Sequence, residues 1–267
     1  MLKKVILIGC GSLGTIIAEG IKENLNEQYE MAAVCDINQN DADKLASQLQ
    51  LPVVKSLDEI TAMKPDYVVE AASKEVVAQM APDLLSAGID MIILSVGALV
   101  DEELVEKINR VGKTTGARLH VASGAVGGFD LMRAVKFGGL SSARIHTSKN
   151  PHSLNGAPGL NNEVLPEDKP CVVFEGTSRD AIGCFPKNVN VSVSTALATL
   201  GVDATQVKIC SVPGTESNKH EIVLEGEFGS IEIKVDVKPS RENPKSSSLA
   251  AWSVLALLQK MALTISI

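Results

Sequence analysis

A short apolar run, Val5–Ile8, leads directly into Gly9-Cys10-Gly11-Ser12-Leu13-Gly14. From Leu13 onward, apolar residues recur at helical spacing through Ile16, Ile17, Ile21 and Leu25. A continuous apolar run is the pattern of a parallel strand buried on both faces. This order therefore specifies a buried strand, a tight glycine turn and a helix. The same rhythm continues for about 120 residues. Strands are expected at Met31–Cys35, Asp66–Glu70, Met91–Leu94 and Arg118–Val121. Helices are expected over Asp41–Leu49, after Ser73 as N-cap with Gly88 as stop, and from Asp101 through Leu104, Val105, Ile108 and Val111. Such alternation implies right-handed crossovers and a doubly wound parallel α/β sheet of the Rossmann kind over residues 1–122.

The rhythm then changes. Ser123-Gly124-Ala125-Val126-Gly127-Gly128 is glycine-rich and is followed by a short helix, Leu131–Phe137. Residues 150–170 hold four prolines, two glycines and four asparagines, which reads as a long surface loop. Ile231, Ile233, Val235 and Val237 alternate strictly with Glu232, Lys234, Asp236 and Lys238, the pattern of a half-buried strand. Residues 123–245 are therefore expected to form a second, α+β domain, with a cleft between the two. A last helix, from about Ser246 to Met261, is apolar nearly all round, Trp252 included. That pattern predicts burial between layers, with residues 246–267 returning to the first domain or packing between the two.

Composition excludes several function classes. A net charge of −7, no basic stripe and only 3% aromatic residues argue against nucleic acid as a partner. The five cysteines are an odd number without a Cys-x-x-Cys, so neither a disulfide framework nor a metal site is expected. Free thiols fit a cytoplasmic protein. Lys3-Lys4 before Val5–Ile8 and Cys10 imitates a lipoprotein leader, but the apolar run is too short for one. Leu249–Leu263 is interrupted by Ser253, Gln259 and Lys260 and is too short to span a bilayer, so no membrane is expected.

The glycine motif follows a strand and opens a helix, and Asp36 ends the next strand 22 residues beyond Gly14. That context points to a dinucleotide. Gly9 permits the turn, Gly11 lets backbone approach a pyrophosphate, and Gly14 lets helix and strand pack closely. The helix start, at Ser12 and Leu13, offers N–H groups to the phosphates. Asp36 can accept from the adenosine ribose hydroxyls and repels a 2′-phosphate, which favours NAD over NADP. Glu70-Ala71-Ala72-Ser73 and Ser95-Val96-Gly97-Ala98 end parallel strands, where small residues leave room for the nicotinamide ribose; Ser73 also reads as a plain helix cap. Of the four histidines, His120 lies in an apolar strand and reads as structural, while His146 and His152 read as exposed. His220 begins a strand and shares a face with Ile222 and Leu224. A core histidine and an acid/base catalyst fit that position equally well.

Gly9–Gly14, Glu70–Ser73, Ser95–Ala98, Ser123–Gly128, Asn188–Asn190, Asn218-Lys219-His220 and Asn243–Ser247 follow in the order seen in the L-aspartate dehydrogenases, which this chain resembles over nearly its whole length. The resemblance implies NAD- or NADP-dependent oxidation of L-aspartate to iminoaspartate, which hydrolyses to oxaloacetate and ammonia and can feed de novo NAD biosynthesis. It implies His220 as the catalytic residue, Ala125 and Asn190 as dinucleotide contacts, and a homodimer; Ala72 and Ser73 stand as cofactor contacts from their place at the end of a strand. The substrate carboxylates require local cations, for which Lys187, Lys219, Arg241 and Lys245 beside the motifs are the candidates. Two alternatives stay open: a related reductase acting on another semialdehyde or cyclic imine, and a dinucleotide sensor without chemistry.

Overall fold

The computed structural model describes residues 2–186, 190–239 and 247–265. The chain divides into two compact units, Met1–Ala122 with Ala250–Ile267, and Ser123–Leu249.

In the first unit, strands β1 (Lys3–Ile8), β2 (Tyr29–Cys35), β3 (Tyr67–Glu70), β4 (Asp90–Ile93) and β5 (Leu119–Val121) alternate with helices α1 (Ser12–Asn24), α2 (Gln39–Leu49), α3 (Leu57–Ala62), α4 (Lys74–Ser86) and α5 (Glu102–Thr115). The sheet is parallel throughout, in the order β2-β1-β3-β4-β5. The chain leaves β1 first toward β2 and then toward β3. The strand order therefore reverses beside β1, and ligands bind outside the carboxyl ends of strands at such a reversal. The strands feed two cores. Val5, Leu7, Val34 and Val69 pack with α1 and α2, whereas Ile6, Ile8, Val68, Met91 and Ile93 pack with α4 and α5.

The second unit contains α6 (Phe129–Lys136), β6 (Leu140–Lys149), α7 (Pro151–Leu154), β7 (Cys171–Thr177), α8 (Ser178–Cys184), α9 (Asn190–Ala198), β8 (Gln206–Ser211), β9 (Asn218–Gly226) and β10 (Gly229–Val237). Its mixed sheet has the order β10-β9-β6-β8-β7, with β6 and β8 parallel and the other pairs antiparallel. One face is buried, through Ala143, Ile145, Val207, Ile209, Ile222 and Leu224. The other carries exposed ion pairs, among them Lys208–Glu175 and Lys219–Asp236. The alternating strand found in the sequence is β10, at the sheet edge, where its apolar side chains are only half-buried.

Two expectations need correction. Residues 150–170 are not simply a surface loop: α7 and a 3-10 turn at Pro158–Leu160 bury Leu154, Leu160 and Leu165. The helix α10 (Ser248–Ala262) is not buried all round, since Trp252 is 55% exposed. Ala251, Val254 and Leu258 are its fully buried members of the α1–α2 core, at i, i+3, i+7 spacing, with Ala250, Leu255, Leu257 and Met261 packed partly buried against it. Leu255 lies against Gly20 of α1, where a Cβ would overlap it, and the buried Tyr29 hydroxyl donates to the Leu258 carbonyl at 2.8 Å.

Candidate functional site

The glycine turn sits at the carboxyl end of β1. Gly9 adopts φ +101°, and a Cβ there would come within 2.6 Å of the Ala71 carbonyl. A Cβ on Gly14 would overlap the Gly9 carbonyl oxygen, so α1 can lie this close to β1 only with glycine at that position. At Gly11 a Cβ would meet nothing within 4 Å, and α1 opens without a side-chain cap. A turn that leaves its middle glycine facing open space, at a helix N-terminus, fits the pyrophosphate of a dinucleotide. The Asp36 carboxylate accepts from Cys10 N–H at 2.6 Å and Asn38 N–H at 2.8 Å, which fixes it at the junction of the first two loops. Ile37 beside it is fully exposed.

Glu70 ends β3 and is fully buried. It accepts from Ala72 N–H at 2.7 Å, Ser95 N–H at 3.0 Å and Ser95 Oγ at 2.7 Å. Burial raises its pKa above the usual carboxylate range, against the opposing pull of these donors. This one carboxyl ties the loop after β3 to the loop after β4 and sets where Ala72 and Ser73 lie. Ser73 Oγ accepts from Val76 N–H at 3.4 Å, as a cap does. Beyond β5, Ala125 lies in the turn leading to α6, where Gly124 and Gly128 have positive φ.

In the second unit a polar cluster occupies one end of the buried sheet face. His220 is 3% exposed, and its Nδ1 lies 3.0 Å from Thr147 Oγ1. Burial first, and the nearby Lys149 cation second, push its pKa down to about 3, so the imidazole is neutral at physiological pH. Lys149 is itself buried, with its pKa pushed down to about 8 by desolvation. Ser211 pairs with Lys149 across β6 and β8, and Asn218, also buried, opens β9. Asn190 begins α9 in the same unit.

His220 is the third residue of β9, rather than its first. Its face is the buried one, as its alternation with Ile222 and Leu224 requires. That same alternation removes Lys219 from the cluster: it points to the other face, half-exposed and 3.2 Å from Asp236. Lys187, Arg241 and Lys245 lie outside the described residues, as do Asn188 and Asn243. His120 bonds Asp90 at 2.9 Å within the first sheet, His146 faces Cys210 on the exposed face, and His152 is exposed. Sequence reasoning missed Thr147, Lys149 and Ser211. The signal was available: Ala143, Ile145, Thr147 and Lys149 share one phase of the β6 alternation, and that phase is the buried one. Among the described residues, no group of three or more His, Cys, Asp or Glu is placed to hold a metal ion. No helix there is long and apolar enough to cross a membrane.

Comparison with known proteins bears on both units. Residues 9–122 match the NAD-binding domain of homoserine dehydrogenase, and residues 130–261 match the C-terminal domain of aspartate dehydrogenase. The L-aspartate dehydrogenase of Methanococcus maripaludis is 37% identical over 97% of both chains. That of Methanosarcina acetivorans is 38% identical over 97% of this chain and 96% of its own. The crystal structure of aspartate dehydrogenase from Thermotoga maritima superposes with a TM-score of 0.76 at 27% identity, covering all of both chains. Identity at this level, sustained from the glycine turn through α10, leads to one conclusion: the chain belongs to the L-aspartate dehydrogenase family of nicotinamide-dependent oxidoreductases.

Proposed function

We propose that this protein oxidises L-aspartate with NAD to iminoaspartate, which water converts to oxaloacetate and ammonia. The observation that carries this reading is the neutral, buried His220 held by Thr147 in a polar cluster, within a chain of this family. The first unit would hold the dinucleotide at Gly9, Gly11, Ser12, Leu13 and Gly14, with Asp36 on the adenosine ribose and Ala72 and Ser73 beside the nicotinamide ribose. By family resemblance, Ala125 and Asn190 would also contact the dinucleotide. When bound, the oxidised nicotinamide supplies the hydride acceptor. His220 does the proton work. In the base-competent tautomer Nδ1–H donates to Thr147 Oγ1, leaving the Nε2 lone pair for the α-amine's proton. A pKa of about 3 makes it a weak base before substrate binds, so proton uptake depends on the bound substrate's carboxylates, whose negative charge raises the imidazole pKa. The amine must be neutral before its Cα can lose hydride; once Nε2 has passed that proton to solvent, the same lone pair can activate the water that attacks the imine.

Family resemblance supports a homodimer, and the exposed sheet face with its interleaved Lys and Glu residues suits contact with a second copy. Five free thiols support a cytoplasmic setting, and the imine product suits a role in pyridine nucleotide biosynthesis.

The test is reductive turnover. Wild type mixed with oxaloacetate and ammonium is expected to oxidise NADH with a kcat/KM at least equal to that for NADPH. Asp36→Ser should weaken NADH and narrow the difference between the two, because the carboxylate both binds the ribose and repels a 2′-phosphate. Strong preference of wild type for NADPH would refute the placement of Asp36. Activity with other oxo acids and none with oxaloacetate would favour the alternative reductase.

A further inference from the structure

The cations sought beside the sequence motifs leave unexplained the one the fold places beside His220. Lys149 closes β6 with its side chain on the buried face, 4% exposed. Opposite it in β8 stands Ser211, completely buried, whose Oγ has no hydrogen-bond partner among the described residues. Both features are expensive in a protein interior. An unsatisfied buried hydroxyl costs stability, and a desolvated ammonium costs more than an apolar residue of the same volume. At neutral pH the cation still outnumbers the free amine by roughly ten to one, since the pKa falls only to about 8.

A buried ammonium and a buried, unsatisfied hydroxyl on adjacent strands form a donor pair suited to a carboxylate. The position fits as well. Lys149 is two residues along β6 from Thr147, which holds His220. Same-face neighbours on a strand are about 7 Å apart, a gap that two long side chains and a four-carbon diacid can bridge. We propose that Lys149 Nζ and Ser211 Oγ anchor one carboxylate of the dicarboxylic amino-acid substrate, with its α-amine directed to His220; this rests on the reading of the site as an aspartate dehydrogenase. Ion pairing there would also quench the cationic field that acts on the imidazole. Lys149 is thus the residue that makes the site select a diacid.

The test uses the full chain, with NADH saturating, ammonium fixed and oxaloacetate varied, for wild type, Lys149→Met, Lys149→Arg and Ser211→Ala. Lys149→Met should raise the oxaloacetate KM by about ten- to a hundredfold, the size of a lost charge-assisted hydrogen bond, while NADH affinity stays within about twofold. Lys149→Arg should recover part of the loss. Ser211→Ala should raise KM several-fold yet melt no lower than wild type, because it removes an unsatisfied group. A folded Lys149→Met with an unchanged KM, or with a loss confined to kcat, overturns the proposal. Should Lys149→Met not fold, succinate, an unreactive diacid, decides the matter in Ser211→Ala. Its stabilisation of the melt should be smaller than in wild type, and equal stabilisation overturns the proposal. Succinate binding that requires Lys149 in a protein that never turns over oxaloacetate would sink the dehydrogenase reading and leave the anchor standing. Turnover with an indifferent Lys149 would do the reverse.

Discussion

His220→Gln is expected to lose about 10²–10⁴ in kcat, or roughly 3–5 kcal/mol of barrier, while NADH affinity changes little. Glutamine fills much of the same volume and can still bond Thr147, but it cannot take a proton. The comparison with stability separates catalysis from packing, since His220 is nearly as buried as its core neighbours Ile222 and Leu224. The histidine carries its own acid sensitivity. An unfolded chain takes up the imidazole proton near 6.5, whereas the folded site resists it down to about 3. Stability is therefore lost as pH falls from about 6.5 toward 3, and this one group costs about 2 kcal/mol at pH 5. Melting curves of His220→Gln at pH 7 and pH 5 should show that part of the loss removed. A folded variant retaining more than about a tenth of wild-type kcat would take His220 out of the mechanism.

Removal of residues 250–267 is expected to unfold the first unit or leave it melting without cooperativity. The truncation takes Ala251, Val254 and Leu258 out of the α1–α2 core and leaves the buried Tyr29 hydroxyl without its acceptor. Emptying one large aliphatic site costs about 2–5 kcal/mol, and a buried orphan hydroxyl adds about 1–3 kcal/mol, against a typical total stability of about 5–15 kcal/mol. Trp252→Ala is the contrast. With the indole half in solvent, it should cost only about 1 kcal/mol. Thermal unfolding followed by circular dichroism, with NADH binding on the same samples, measures both. A truncated chain that melts near the wild-type temperature and binds NADH normally would refute this packing.

How far the sequence was legible depended on what each residue answers to. Val5–Ile8 and the glycines behind it are governed by local rules, burial on both faces and a turn that excludes Cβ, so β1, the turn and α1 could be read directly. The α-helical stripe of α10 could not. That helix is apolar nearly all round, and which of its residues face inward is decided by packing against α1, where Leu255 seats on Gly20 some 235 residues away in sequence. Residues 150–170 misled for a related reason. Proline and asparagine set the local turns there, but burial of Leu154 and Leu160 is a tertiary outcome.

At the site, His220 stood out because histidines are few, and its inward phase followed from alternation with Ile222 and Leu224. The substrate cations were sought next to motifs, and proximity in sequence is a poor guide on a strand. Lys219 adjoins His220 in the chain and faces the opposite way, whereas Lys149 is 71 residues distant and shares its face. Glu70 was legible as the end of an apolar strand. Its part in joining two loops became visible only with Ser95 brought against it.

Hydride transfer from the α-carbon of aspartate is the central claim, and isotope transfer reads it directly. L-aspartate deuterated at Cα, incubated with the enzyme and NAD, should give reduced cofactor carrying one deuterium at the nicotinamide C4, with oxaloacetate and ammonium formed in equal amount. Reduced cofactor without deuterium, or no reduction while other amino acids are oxidised, would contradict it.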